Sequence, residues 1–172
     1  LSATLAPVSL AIAPWWFLLL RDAIGSEKKH RAYLKAMYGE IQFGLDIVKN
    51  LPKDPNSLIT MPSIQTTTWE SFKSSEFDPT DKLHVNIAFV YLGFNVVSLG
   101  TSLAYQIVMM SPRNDRDPNA FALMAYTRAN VEKLIPLGEK TMTEIAQTAD
   151  IDENEAAEIK KETEKRIRQL RP

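Results

Sequence analysis

The stretch LHVNIAFVYLGFNVVSLGTSLAYQIVMM, residues 83–110, decides the fold because it is long, apolar and free of charge. No Asp, Glu, Lys or Arg occurs from Leu83 to Pro112. Four polar side chains recur at three- and four-residue steps and would form one stripe on a helix: Asn95, Ser98, Ser102 and Gln106. Because unpaired polar groups are unfavourable in lipid, we expect this helix to be fully enclosed in a helical bundle, and a second membrane span is the alternative.

Small residues in the same stretch predict close helix packing. Gly93, Gly100 and Ala104 lie near one another on a helical surface, where they would let a neighbouring helix approach closely. We therefore assign these three residues to a partner-binding surface. Ile159 and Ile167, on the narrow apolar stripe of the last helix, are assigned to it as well.

The chain begins with another charge-free segment, residues 1–20, which is followed closely by several basic residues. Twenty helical residues span about 30 Å, the thickness of the hydrocarbon core of a bilayer. Tryptophan near a segment's end and basic residues after it are typical of a span whose following chain is cytoplasmic. We predict a single-pass membrane anchor with the bulk of the chain on the cytoplasmic side, and the anchor residues are Trp15, Trp16, Phe17, Leu18 and Arg21.

The first segment has two other interpretations. A cleaved signal peptide is disfavoured because the basic residues follow the apolar core, and Leu18 to Arg21 offers no small-residue cleavage site. Pro7 and Pro14 interrupt the segment, which leaves open a buried helical hairpin or an arm lying on a partner protein.

Helical periodicity and scarce glycine predict an all-α fold: an N-terminal transmembrane or hydrophobic helix, a small helical bundle and a charged C-terminal helix. The predicted boundaries are 1–21 for the anchor, 22–150 for the bundle and 151–172 for the charged helix. The apolar face of the first bundle helix, from Ser26 to about Asn50, leaves Glu40 on the solvated side.

Several helix ends can also be read from the sequence. Thr67 or Thr68 is expected to cap a short helix that starts near Trp69. Asp-Pro pairs at Asp78 and Asp117 predict two further helix starts, with proline at the first helical position. Pro136 is expected to kink the fourth helix, and Asp152 with Glu155 forms a capping arrangement for the last.

The composition argues against several kinds of chemistry. The absence of cysteine excludes thiolate zinc sites, iron–sulfur clusters and thiol nucleophiles, and a net charge of −1 provides no overall basic field for nucleic acid. His30 and His84 have no partner at metal-ligand spacing and are expected at the surface or its boundary. Phosphate-binding glycine loops and a serine elbow are absent from the sequence. We predict no enzyme activity and no cofactor.

Two weaker patterns have ordinary explanations. Aromatic residues on the predicted helices could line a ligand pocket, although core packing is the commoner reason for such residues. Residues 143–169 could form a helix-turn-helix, but the turn lacks glycine and the second helix carries five acids. Nucleic acid is therefore not an expected partner.

Short motifs between Leu20 and Asn95 resemble those of a loosely defined group of small uncharacterised microbial helical proteins. The shared features are an N-terminal membrane segment, a long basic helix, a Thr-x-x-Trp-Glu element and a later Tyr-x-x-x-Asn helix. The residues that carry them here are Thr66, Trp69, Glu70, Tyr91 and Asn95. We expect Trp69 and Tyr91 to pack the short helix onto the long ones, and Glu70 and Asn95 to satisfy polar groups buried there. The resemblance implies no activity.

These features predict a non-enzymatic accessory or scaffold subunit. Its partners would be the lipid bilayer and a protein or a larger membrane complex. The alternative is a membrane-tethered sensor or regulator that binds a small ligand or nucleic acid through the bundle or the basic C-terminal helix.

Overall fold

A computed structural model describes residues 6–55, 64, 66–110 and 117–170, with side chains described from Gly25 to Gln169 within these ranges. All regular elements in this part of the chain are α-helices, which confirms the predicted all-α class. There are five such helices: α1 (Ala6–Lys49), α2 (Thr67–Ser75), α3 (Lys82–Met110), α4 (Pro118–Ala149) and α5 (Glu153–Leu170).

Helices α3 and α4 form an antiparallel pair that runs the length of the bundle. The start of α3 lies beside the end of α4, where the Asn86 amide donates to Glu144 Oε2 at 2.9 Å. Further along, the small residues of α3 let α4 come close, since a Cβ on Gly93 would lie 2.5 Å from Leu134 Cδ1. The sequence pattern of small residues therefore predicts close packing correctly, and the neighbouring helix belongs to the same chain.

Helix α1 runs in the same direction as α3 and opposite to α4. The rings of His30 and His84 lie 5.3 Å apart at one end of the bundle. At the other end of α1, Gly44 faces the ring of Phe94 and Leu45 packs on Gly138 of α4. Helix α1 is continuous over 44 residues, about 66 Å, so it crosses the predicted 21/22 boundary without a break.

Helix α5 returns alongside α1 after a tight turn. Asp150 adopts the left-handed conformation at φ 53° and ends α4 there. The turn and α5 are then fixed by ion pairs with α1: Arg31 with Asp150, and Lys35 Nζ with Glu155 Oε2 at 2.8 Å. The charged last helix therefore packs along one neighbour, and the basic face of α1 is partly covered by it.

The capping residues agree only in part with the sequence. The carboxylate of Asp117 accepts from the Asn119 N–H with Pro118 at the first helical position, as predicted. Asp78 instead closes a turn through Thr80, while Asp81 Oδ1 accepts from the Leu83 and His84 N–H groups and starts α3 three residues later than predicted. Two carboxylates at this spacing offer equivalent caps, and packing selects the second.

The N-termini of α5 and α2 and the proline inside α4 give three further outcomes. Asp152 Oδ1 accepts from the Glu155 N–H at 2.8 Å, which confirms the predicted cap of α5. Helix α2 begins at Thr67, so the expected caps Thr67 and Thr68 lie inside the helix and that prediction is wrong. The residue at the cap position, Thr66, makes no side-chain capping bond. Helix α4 continues through Pro136 to Ala149.

The core is larger at one end of the bundle than at the other. The main cluster joins α1, α2, α3 and α4 and contains fully buried residues such as Leu34, Phe72 and Phe94. Helix α1 ends at Lys49, and the carbonyl of Leu51 lies near Arg128 of α4. Beyond that level α3 and α4 continue as a hairpin around a small second cluster of Ala104, Met124 and Leu123. We call this part the distal hairpin.

We expect Gly44→Ala to lower the free energy of unfolding by about 1–3 kcal/mol, because the added methyl group would lie 2.5 Å from Cζ of Phe94. Urea unfolding followed by circular dichroism measures the change. Gly25→Ala is the matched control, since no atom lies within 4 Å of its new Cβ, and it should stabilise the helix by up to about 1 kcal/mol. Equal effects of the two substitutions would contradict the tight α1–α3 contact.

Candidate functional site

One carboxylate, that of Glu40, joins three helices. Its Oε1 accepts from the backbone N–H of Thr68 at 2.9 Å, and its Oε2 accepts from the Tyr91 hydroxyl at 2.7 Å. Thr68 belongs to the first turn of α2, where backbone N–H groups have no partner within the helix. Glu40 thus caps α2 from α1 and at the same time holds the end of the Tyr91 side chain on α3.

Tyr91 and Trp69 form the centre of an aromatic cluster over the Glu40 carboxylate. Their rings are stacked with centroids 5.1 Å apart and an angle of 11° between their planes. Burial is the main reason why the pKa of the Tyr91 hydroxyl is raised, and the charge of Glu40 raises it further. The hydroxyl therefore stays protonated and serves as a donor. The cluster is filled by side chains, as the core-packing interpretation predicts.

Glu70 and Asn95 do not satisfy buried polar groups, in contrast to the expectation from the packing argument. Both side chains are exposed, and that of Glu70 is 62 % accessible and lies 3.8 Å from Lys73 on its own helix. Helix α2 presents Trp69 and Phe72 to the core, so the next residue after Trp69 falls on the solvent side. The polar group that satisfies the buried Tyr91 hydroxyl is Glu40, which the amphipathic pattern assigned to the solvated side of α1.

His84 is buried, so its expected position at the surface boundary is wrong. Only 5 % of the residue is accessible, and its Nδ1 accepts from the Asp78 N–H at 3.0 Å. Its Nε2 has no hydrogen-bond partner among the described residues. The ring packs edge-on against Phe72, 4.8 Å between centroids. His84 therefore fixes the turn before α3 in its neutral form.

A groove of about 520 Å³ lies between α1, the start of α2 and α5, directly beside Glu40. Lys35, Glu162 and Arg166 are charged side chains along it, and Ile159 and Phe43 contribute apolar surface. Lys35 is already paired with Glu155, and Arg166 lies 3.6 Å from Glu162. Paired charges leave this groove without a net field that would select a charged ligand.

The face of α3 that points away from α4 is strongly apolar and exposed, and we call it the outer face. Phe89 is 55 % accessible, Leu92 56 % and Leu99 61 %. Val96 and Leu103 are exposed on the same face, and Met110 extends it to the end of α3. Tyr105 and Met109 of α3 and Tyr126 of α4 are further exposed apolar residues. The prediction that α3 is fully enclosed is therefore wrong, because α1, α2 and α4 cover only one side of it.

The predicted polar stripe lies on this exposed side. Asn95, Ser102 and Gln106 are exposed and Ser98 is half-buried, so solvent and not a buried network surrounds them. Uncharged polar residues on an exposed apolar surface are typical of a helix face that can contact another protein.

The predicted partner-binding residues divide into two groups. Gly93 and Gly100 face Leu134 and Thr127 of α4, and Ala104 is buried against Met124 of the same helix. These three residues therefore belong to an interface within the chain. Ile159 is half-buried on Gly39 of α1, and Ile167 is half-buried further along α5. Large exposed apolar side chains instead lie on the outer face of α3, which the sequence predicts to be covered.

The side chains of the predicted anchor lie outside the described residues: Trp15, Trp16, Phe17, Leu18 and Arg21. The backbone at these positions belongs to α1. Gly25 to Lys29 are exposed, and Lys29 Nζ donates to Glu76 at 2.9 Å where α1 enters the bundle.

Helix α5 carries acids among its basic residues. Lys165 and Arg166 both lie near Glu162, and Arg168 lies 3.9 Å from Glu164. Such i,i+3 and i,i+4 pairs stabilise an exposed helix and interrupt any continuous basic strip. Over the described residues, no group of three or more His, Asp or Glu side chains is placed to hold a metal ion.

The chain matches no protein-family model, and comparison with curated proteins and with solved structures gives no match. The functional argument therefore rests on the geometry of the chain itself.

We expect Glu40→Ala to lower the free energy of unfolding by about 1–3 kcal/mol, because it leaves the Thr68 N–H and the Tyr91 hydroxyl without their acceptor. Thermal unfolding and the near-ultraviolet dichroism of the Trp69 cluster measure the effect. Glu70→Ala, in the sequence motif but exposed, is the control and should change stability by less than about 0.5 kcal/mol. A larger loss for Glu70→Ala would mean that the motif residue, and not Glu40, supports α2.

Stability should fall as the pH decreases from 7.5 to 5.5. Burial lowers the pKa of His84 from its ordinary 6.5 despite the nearby Asp81, Asp78 and Glu76 carboxylates. The unfolded chain therefore binds this proton more readily, so stability is lost as pH falls through 6.5 and levels off below the folded-state pKa. Urea midpoints across this range should vary less for His84→Asn, which keeps an acceptor for the Asp78 N–H. His30→Asn is the comparison variant. If the urea midpoint of His84→Asn changed with pH as steeply as that of His30→Asn, the assignment of the pH dependence to His84 would be contradicted.

Proposed function

We propose that the protein is a non-enzymatic, membrane-anchored accessory or scaffold subunit that binds a protein partner through the outer face of α3. In this proposal residues 1–21 cross the bilayer once and the bundle lies on the cytoplasmic side. The observation that carries the proposal is the exposed apolar face of α3, a helix that is otherwise packed in a bundle, in a chain that also contains a hydrophobic segment at residues 1–20.

The continuity of α1 supports this arrangement. Because one helix leads from the hydrophobic segment into the bundle, no flexible linker would separate the anchor from the binding surface. Lys28, Lys29 and Arg31 follow the segment at the level where α1 meets α2 and α5, which suits the cytoplasmic side of a membrane. A rigid anchor of this kind would fix both the distance and the orientation of the bundle.

Among the residues whose side chains are described, α3 is the one helix long and apolar enough to cross a membrane, with a mean hydropathy of 1.7 in its most apolar window. That window is 44 % buried inside the bundle. A core helix of a bundle meets the same criterion of length and composition. In our proposal α3 is not a span, because its inner side packs on α1, α2 and α4 and its start holds the buried His84.

The anchor is tested by membrane fractionation with a carbonate wash. The unaltered chain should remain in the membrane pellet, and Leu10→Asp with Ile12→Asp, in the middle of residues 1–21, should release most of it, since each charge near the centre of a span costs about 3 kcal/mol. A matched variant with two aspartates at the exposed Ser26 and Lys28 should stay in the pellet. Release of the unaltered chain by the wash would contradict the membrane anchor.

The orientation has its own test because the chain contains no cysteine. A single cysteine at the exposed Lys133 should resist a membrane-impermeant maleimide in intact cells and react after permeabilisation. Labelling in intact cells would place the bundle on the opposite side.

A further inference from the structure

We propose that the outer face of α3 binds the same face of a second copy of this chain, as a parallel helix pair. The parallel orientation of this pair rests on the proposed function, and the second copy is the partner of the surface described there. The exposed apolar residues of the outer face follow one another at steps of three, four, three, four and then seven residues: Phe89, Leu92, Val96, Leu99, Leu103 and Met110.

Steps of three and four residues define a seam along which two helices pack with their side chains interlocked. From Phe89 to Met110 the seam measures about 32 Å. Leu92 and Leu99 occupy one class of seam position, and the other class contains Phe89, Val96, Leu103 and Met110. At the centre of the seam, Val96 between Leu92 and Leu99 matches the combination of a β-branched residue in the first position and leucine in the fourth that favours parallel two-stranded packing. The same α3 therefore carries one seam for α4 and a second seam that no described residue of this chain covers.

In the distal hairpin, the described helices are too few to bury the apolar surface of α3. Among the described residues, α3 and α4 alone continue beyond the end of α1, and the cluster they share there consists of Ala104, Met124 and the half-buried Leu123. Two helices alone leave much of their apolar surface in water, whereas four helices enclose a core. Pairing two hairpins along the outer face would make such a four-helix arrangement.

The lack of charge on this face favours a second copy over a foreign protein. Like copies meet without repulsion because Lys82 is the only acidic or basic residue (Asp, Glu, Lys or Arg) of α3. Partner choice between different helices usually depends on charges that flank the seam, and none is present here. Asn95 and Ser102 are exposed beside the seam, and Gln106 occupies the seam position seven residues after Leu99. All three side chains can form hydrogen bonds across a helix pair.

Lipid fits the same surface less well. Helices that lie in a membrane surface carry basic residues along their polar edge, which α3 lacks. Because α1 and α3 point the same way, a spanning α1 carries the seam away from the bilayer. The same anchor gives every copy in one membrane the same direction, which makes the pair parallel.

Single cysteines in the full chain test the pairing, since no natural cysteine interferes. In detergent and in phosphatidylcholine vesicles, Leu92→Cys alone and Leu99→Cys alone should each form a crosslinked dimer with a short bis-maleimide. Lys133→Cys, exposed on α4, is the control and should give several-fold less. Leu99→Glu should convert the dimer to a monomer by light scattering with unchanged helicity, because Leu99 contributes little to the fold.

Three results would overturn the proposal. One is a monomer without crosslinks at Leu92 or Leu99. Another is crosslinking of Leu92→Cys to Gln106→Cys with none between two Leu92→Cys chains, which indicates an antiparallel pair. The third is quenching of a probe at position 99 by lipid-borne quenchers, which indicates that lipid covers the face. The Leu92→Cys and Leu99→Cys variants are also fractionated with a carbonate wash. If they give no crosslink but stay in the membrane pellet, the result would contradict the pairing and not the membrane anchor.

Discussion

The bundle depends on the position of the Glu40 carboxylate between three helices. Helix α2 has nine residues, too few to be stable alone, and its first threonines do not cap it. Glu40 supplies the missing acceptor from α1 and holds the Tyr91 hydroxyl on α3 with its other oxygen. Trp69 can stack on Tyr91 only while α2 keeps this position. A polar contact therefore places the aromatic cluster that closes this end of the core.

Helix α3 connects the internal architecture with the proposed role. Its inner side uses glycine and alanine to admit α4, and its outer side carries large apolar residues into solvent. A helix that is apolar on both sides must be covered twice, and the described residues of this chain cover it once. Together with the continuity of α1 from the hydrophobic segment into the bundle, this supports the proposed binding role at a membrane. It also explains why a second copy suits the surface.

Helix positions followed from the sequence more readily than the environment of individual side chains. Periodicity and Asp-Pro pairs predicted the long helices, although Asp81 and not Asp78 begins α3. His84 was expected near the surface, because a sequence does not reveal that the turn before α3 folds back over the ring. Glu40 was assigned to solvent for the same reason: its partners, Thr68 and Tyr91, lie 28 and 51 residues away.

The sequence by itself determined the all-α class, the charge-free segments, the close packing at small residues and the lack of cysteine chemistry. These properties depend on local pattern and composition. Only the tertiary structure decided which helix the small residues face, that Glu70 and Asn95 point to solvent, and that one face of α3 is uncovered. The physical reason is that helical periodicity specifies which residues share a face, whereas the neighbour of that face depends on how distant segments fold together.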